Sequence, residues 1–316
     1  MRLRIKPELY SLELTFYPSF LSSLYERRGG WLVKIAGVHK GLALRQLPDG
    51  TLEAKLPLGL DTPIEAVLEQ TGLWHKPFEY KLHQLAEPLR SYAEALAEGL
   101  PGLRIPVSPR DLQQITVAVL LSKRTDYHRF TLKWCKRIWL EIGETWNLIT
   151  SSASLSGVGS SYQIEEMRKS LSCLLKLQPM LEALAVEGKA SPMRKLLMSC
   201  WGIGPKTADA IALCTTRCTS VYPCDTNLMR VLTRVGLLSS LHSPPEKAYC
   251  LKYTCQSCPK ESCTVKALKA GELGGWLQSL TYVVGKVYCR PLRPRCSSCP
   301  VQAVCSSFSQ PFRRHS

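Results

Sequence analysis

Cys200-Trp201-Gly202-Ile203-Gly204-Pro205-Lys206-Thr207-Ala208-Asp209-Ala210-Ile211-Ala212 is the stretch on which the fold turns. Met193 to Ser199, just ahead of it, reads as a short helix. Two glycines then make a tight turn, and Pro205 opens a second helix, where a missing N–H and a fixed φ are tolerated. The small Ala208 and Ala212 let that helix pack closely on a neighbour. The glycines leave backbone N–H groups facing outward, and the helix N-terminus adds positive potential. Together these hold a phosphate without reading sequence, so Gly202, Ile203 and Gly204 are candidate phosphate contacts. A lone G-x-G is weak evidence, since most are plain turns; its place between two helices and before a lysine strengthens it.

Lys206 lies one or two residues inside the second helix, where a cation opposes the helix dipole. Its pKa is expected to fall, and further if the amine is walled off from water. A neutral amine is what a lysine nucleophile requires. Asp209, three residues on, would push the pKa the other way if the two paired. The bland alternative is an ordinary solvated helix lysine. Val221-Tyr222-Pro223-Cys224-Asp225-Thr226-Asn227 leads into a third helix. Leu228, Val231, Leu232 and Val235 form its buried stripe, with Asn227, Arg230 and Arg234 on the other face. Asp225 is the natural N-cap. In the functional reading one of its oxygens caps the helix. The other faces a cleft, where it stabilises a developing sugar cation or moves a proton.

Towards the C-terminus Cys289, Cys296, Cys299 and Cys305 read C-x6-C-x2-C-x5-C. Four soft thiolates in one short loop suit zinc or an iron–sulfur cluster, with disulfide pairing as the alternative. Arg290, Arg293 and Arg295 rim this loop and suit phosphate contact. A second set, Cys250-x4-Cys255-x2-Cys258-x4-Cys263, points first to structural zinc, with a disulfide pair or a second cluster behind it. Cys135 and Cys214 fall in helical patterns and read as core; Cys173, Cys200, Cys218 and Cys224 receive no role.

Upstream, residues to about Leu60 read as β-rich. Leu12, Leu14 and Phe16 alternate with Glu13 and Thr15, and Trp31 to Ile35 is a short apolar run. Leu42 and Leu44 face Leu52, Ala54 and Leu56 across Pro48-Asp49-Gly50, a hairpin signal. Past Thr62 the pattern is helical. Ser108-Pro109-Arg110-Asp111 reads as a helix start with cap, proline and closing acid. The helix after it carries Leu112, Ile115, Ala118, Val119 and Ser122 on one face and ends at Lys123-Arg124. A cationic amphipathic stretch, Tyr127 to Trp139, follows, and Ser151 to Ser161 reads as an ordered interhelical loop.

The chain has 316 residues, 45% hydrophobic, and a formal net charge of +16. It can bury real cores, and its charge excess attracts polyanions. No run of eighteen apolar residues exists, so a membrane span is not expected. The first residues lack the apolar region of a signal peptide. The expected location is therefore intracellular, in the cytoplasm or nucleoid. Fourteen cysteines in such a chain point to metal or redox chemistry, or to a disulfide-rich intracellular thermophile.

Together these pieces resemble the helix-hairpin-helix superfamily of DNA glycosylases. Trp201 to Ala208, followed by nineteen residues from Lys206 to Asp225, looks like the hairpin and catalytic aspartate of endonuclease III. So does Trp276-Leu277 ahead of the C-x6-C-x2-C-x5-C loop, which ligates a [4Fe–4S] cluster in that family. Leu120-Leu121-Ser122 before Thr125-Asp126 resembles the family's early helix end, where a side chain wedges into the duplex. The likeness spans roughly residues 108–305. It implies a mainly α fold, with two helical subdomains around a cleft and a small N-terminal antiparallel β domain. The implied units are residues 1–85, a helical unit 86–235, and a cysteine-rich unit 236–316 packing with 86–108. The β-rich segment is absent from endonuclease III and loosely resembles that of 8-oxoguanine and alkyladenine glycosylases.

The likeness further implies excision of an oxidised pyrimidine or 8-oxoguanine from double-stranded DNA by a monomeric enzyme. Lys206 stands at the Schiff-base position and Asp225 at the superfamily's aspartate; strand cleavage follows by β-elimination. The alternatives are a monofunctional glycosylase with an Asp225-activated water and a non-enzymatic, redox-sensing DNA-binding protein. Lys123-Arg124 replaces the glutamine-type wedge and Asn227 the usual histidine after the aspartate, so the base excised stays open. Lys123 and Arg124 are the remaining candidate DNA contacts.

Overall fold

The computed structural model describes residues 2–57 and 63–309. The boundary expected at Leu60 to Thr62 lies outside them. Within the described residues, β1 (Arg2–Ile5), β2 (Tyr25–Arg28), β3 (Trp31–Lys34), β4 (Ala43–Gln46) and β5 (Leu52–Lys55) form one antiparallel sheet. Its order is β1-β5-β4-β3-β2. The expected hairpin joins β4 to β5, with Leu44 opposite Ala54 and Gln46 opposite Leu52. Its turn works through Gly50, at φ +85°, a left-handed conformation that other residues resist. Asp49 supports it by accepting from the Thr51 backbone N–H at 3.0 Å.

Leu12 to Phe16 departs from the strand reading. It is a one-turn helix capped by Ser11, whose Oγ accepts from Leu14 N at 3.2 Å. Leu12, Thr15 and Phe16 are its buried residues, the i, i+3, i+4 spacing of a helix face. Five residues fit either period, and the cap decides between them.

Ser108 to Asp111 is also not a capping box. Pro109–Asp111 is a 3-10 turn, and the Ser108 Oγ donates to Asp111 Oδ2 at 2.6 Å instead of capping. Asp111 is fully buried, contacts the ammonium of the equally buried Lys34, and accepts from Val38 N at 2.7 Å. Asp111 thus docks the sheet onto the helical part. The following helix, Leu112–Leu121, is buried on nearly every side, not on one face. It runs through the middle of the helical part, against the helices Tyr162–Leu174 and Pro205–Thr215. The 152–161 segment is the connector between Trp146–Ser151 and Tyr162–Leu174.

Two apolar cores result. One joins the sheet, through Leu32, Leu44 and Leu52, to the central helix and the hairpin. The other gathers Tyr92, Leu96 and Leu103 with Leu228, Val231 and Leu232 and with Trp276, Leu280 and Val284. In the second core Gly285 matters: a Cβ there would come within 2.8 Å of Asn227 Cβ. Its absence lets the helix Gly274–Val287 press against Thr226–Val235. No helix among the described residues is long and apolar enough to cross a membrane.

Candidate active site at the hairpin cleft

The hairpin forms as its sequence dictates. Ala190–Ser199 is the first helix, three residues longer at its start than expected. Gly202 turns the chain at φ +73°, and Pro205 is the first residue of Pro205–Thr215. Ile203 is buried, so it offers a phosphate only its backbone, while Gly202 is exposed. Lys123 braces the turn: its ammonium donates to Gly202 O at 3.1 Å and lies 3.4 Å from the Glu166 carboxylate. Arg124 is exposed at φ +54° and has no hydrogen-bonding partner among the described residues.

Lys206 lines a cleft of about 1300 Å³ whose walls come from both cores. Burial lowers its pKa, the positive charge of Lys123 lowers it further, and the Asp225 carboxylate opposes both. Asp209 does not pair with it. Although three residues away, it turns into the core, where Arg194 Nη2 reaches Asp209 Oδ2 at 3.3 Å beside a shorter contact from Nε. Burial pushes the Asp209 carboxyl up to about 6 despite Arg194.

Asp225 lines the same cleft. Its Oδ1 caps Thr226–Val235 by accepting from Leu228 N at 2.7 Å, and its Oδ2 accepts a long bond from Asn227 Nδ2 at 3.4 Å. The structure therefore brings Lys206, Asp225, Lys123, Arg124 and Arg290 to one cleft. Arg293 and Arg295 are exposed on the same loop as Arg290 but do not line it.

Sequence reading missed an aromatic cluster in this cleft. Tyr17 and His128 stack with ring centroids 4.4 Å apart, and the Tyr282 ring is 6.4 and 6.5 Å from them. Burial, then the neighbouring Lys286, lowers the His128 pKa, and Asp126 opposes them. These rings come from three distant stretches, so no local pattern announces them. Arg230 and Arg234 were visible as a polar stripe; their job was not. Arg230 donates to Cys289 O and Gly285 O, both at 3.0 Å. Arg234 donates to Arg290 O at 2.8 Å and to Cys289 Sγ at 3.3 Å. The two guanidiniums hold the cysteine loop against the helix that Asp225 caps.

Cys135 and Cys214 are buried, as expected of core residues, and Cys173 and Cys200 form a disulfide that ties the hairpin turn to the helix Tyr162–Leu174. Among the described residues Cys289, Cys296 and Cys299 form no disulfide, and neither do Cys250, Cys255, Cys258 and Cys263. Among the described residues no group of three or more His, Cys, Asp or Glu side chains is arranged to hold a metal ion. Neither expected ligand set is thus drawn into a coordination shell. The donor chemistry of the C-terminal four, all soft thiols with Cys289, Cys299 and Cys305 partly buried against the second core, nonetheless fits an iron–sulfur cluster or zinc.

No protein-family model matches the chain. Over 125 residues it is 27% identical to endonuclease III of Sulfolobus acidocaldarius, covering 40% of this chain and 49% of that protein. The chain thus spans about half the length of the curated relative it matches. Solved structures with the same fold include the Clostridium acetobutylicum 8-oxoguanine glycosylase/lyase bound to double-stranded DNA with cytosine opposite 8-oxoguanine. It has a TM-score of 0.61 at 14% identity, covering 89% of this chain and 96% of that one. The apo form of that enzyme gives 0.62 at 15%, covering 89% and 98%. MBOgg1 in complex with a low-affinity DNA ligand gives 0.67 at 16%, covering 89% and 94%. The chain shares the fold of these structures, mainly α with a small antiparallel sheet, as the resemblance implied.

Proposed function

We propose that this chain is a DNA glycosylase with lyase activity, acting as a monomer inside the cell on double-stranded DNA with an oxidised base or an abasic site. One observation carries the reading. A half-buried lysine whose ammonium form is disfavoured shares a cleft of about 1300 Å³ with a carboxylate. Small-molecule pockets run to roughly 300–1000 Å³, so this cleft has room for an extruded nucleotide.

In this reading the hairpin N–H groups, Arg124 and the arginines at 290, 293 and 295 grip phosphates. Flipping the nucleotide costs a few kcal/mol, and less for a poorly paired base. The neutral Lys206 Nζ bonds to C1′ of the sugar while the C1′–N bond breaks, and the base leaves with that electron pair and takes up a proton. The uncapped oxygen of Asp225 stabilises positive charge on the sugar. The C1′–O4′ bond then opens, O4′ gains a proton, and an imine joins Lys206 to C1′. That imine acidifies the 2′ hydrogen. Loss of this proton and of the 3′ phosphate cuts the strand by β-elimination. Support for 8-oxoguanine comes from a fold likeness that covers 89% of the chain, and support for an oxidised pyrimidine from the endonuclease III match.

Cys289, Cys296, Cys299 and Cys305 would hold a [4Fe–4S] cluster, with Arg234 donating to one ligand sulfur. Bound there, the cluster would cross-link the loop and add a redox centre; no step of base excision needs it. An absorption band near about 400 nm separates iron–sulfur from zinc at this set.

Incubation with a duplex bearing one abasic site tests the reading. Strand cleavage is expected. Base release from lesion duplexes without cleavage would replace it with Asp225-activated water, and neither product would leave a DNA-binding protein. A panel of single-lesion duplexes then identifies the base.

A further inference from the structure

From Ser239 to Ser262 no residue is buried. The one helix in this stretch, Lys247–Lys252, buries nothing. A segment without apolar burial cannot offset the entropy of ordering its backbone, and short segments of this kind need a staple. Its backbone ties are few: Ser243 N to Ser262 O at 2.8 Å within the segment, and Thr264 N to Ser243 O at 3.0 Å to the residues after it. Lys247 adds one side-chain contact, to Cys200 O at 3.3 Å.

What the segment does have is four cysteines around one point. Cys250, Cys255, Cys258 and Cys263 all line a single cavity of about 20 Å³. One water-sized sphere needs roughly 10–15 Å³, so the cavity admits a single ion and is too small for a four-iron cube. All four thiols are unpaired, although Cys173 and Cys200 in the same chain are joined. Their sulfurs are not in a coordination shell as they stand. A cysteine sulfur moves by rotation about one torsion, so a shared cavity is the stronger criterion. Arg194 and Lys266 line this cavity as well, and Lys266 donates to Cys258 O at 2.6 Å. Four thiolates around a divalent cation carry a net charge of −2, which Arg194 and Lys266 offset in part, since Arg194 also pairs with Asp209 and Lys266 with Glu261.

We propose that Cys250, Cys255, Cys258 and Cys263 bind one zinc ion in a closed, four-thiolate site. The ion cross-links the insertion to itself, beside the helix Ala190–Ser199, whose Arg194 lines the same cavity and which leads into the hairpin. Binding the metal and folding the segment are one event. This inference does not depend on the excision chemistry.

The test is elemental analysis of the full chain purified with its metals. About one zinc per chain is expected, and Cys255→Ser with Cys258→Ser removes it while iron content and the visible absorption band persist. Should that variant not fold, the wild-type chain still answers. A thiol reagent should release its zinc in step with modification of four cysteines, and cobalt(II) in its place should show a tetrahedral all-thiolate spectrum. Three results would overturn the proposal: no zinc in the wild-type chain, zinc retained in the double variant, or these four cysteines recovered as disulfides or as ligands of a second cluster.

Discussion

Two lysines of this chain are withdrawn from water near an aspartate, Lys34 fully and Lys206 in part, in regions built to opposite ends. Where the N-terminal sheet meets the helical part, Lys34 touches Asp111, and Asp111 is further held by Val38 N and Ser108 Oγ. In the cleft, Lys206 makes no hydrogen bond or salt bridge among the described residues. Its aspartate, Asp225, acts on it only at a distance and commits one oxygen to a helix cap. Burial lowers the pKa of both lysines. The difference is contact. A buried lysine touching its aspartate is a structural tie, because removing either partner strands a charge. A desolvated lysine without a contact is a destabilised ammonium, readier to give up its proton.

Substitutions sharpen this contrast, and the largest effect is expected at Lys206. Lys206→Gln should lower single-turnover strand cleavage by at least about 10³-fold, with no fall in melting temperature. A large drop in melting temperature would make Lys206 a second structural tie. Next comes Lys34→Ala, which leaves Asp111 buried without its cation. Urea unfolding should show a loss of about 3–5 kcal/mol, and cleavage per folded molecule should be unchanged.

Asp225→Asn separates capping from chemistry. Asparagine caps about as well as aspartate, so stability should move by less than about 0.5 kcal/mol. Base excision should fall by about 10²-fold or more, with duplex affinity nearly intact. Equal losses of affinity and excision would reduce Asp225 to a cap.

The smallest effect is a shift with pH. Below its pKa the Lys206 amine is protonated and unreactive, so the trapping rate rises as pH rises through that value. Lys123 lowers the pKa and Asp225 raises it. Lys123→Gln should therefore move the acid limb of the profile to higher pH, and Asp225→Asn should move the residual rate's limb to lower pH.

The parts legible in the sequence were those governed by neighbours in the chain. Gly202, Gly204 and Pro205 announce a turn and a helix start, Asp225 announces a cap, and Pro48-Asp49-Gly50 announces a hairpin; each depends on local backbone rules. Illegible parts depended on partners far away. Asp111 looked like a capping acid because Lys34, 77 residues earlier, carries no local sign of burial. Asp209 looked like the partner of Lys206 because helical spacing allows it, yet Arg194 holds it. Tyr17, His128 and Tyr282 converge only through the tertiary fold. The two cysteine sets stand between these cases, since their spacing is plain but, among the described residues, their sulfurs are not drawn into a coordination shell.

The central claim concerns a single nitrogen. Borohydride reduction of the full chain on an abasic-site duplex, followed by proteolysis and mass mapping, asks which residue became bonded to sugar. The account predicts one adduct, on the peptide carrying Lys206. An adduct on Lys123 or any other amine, or strand cleavage with no adduct at all, would contradict it.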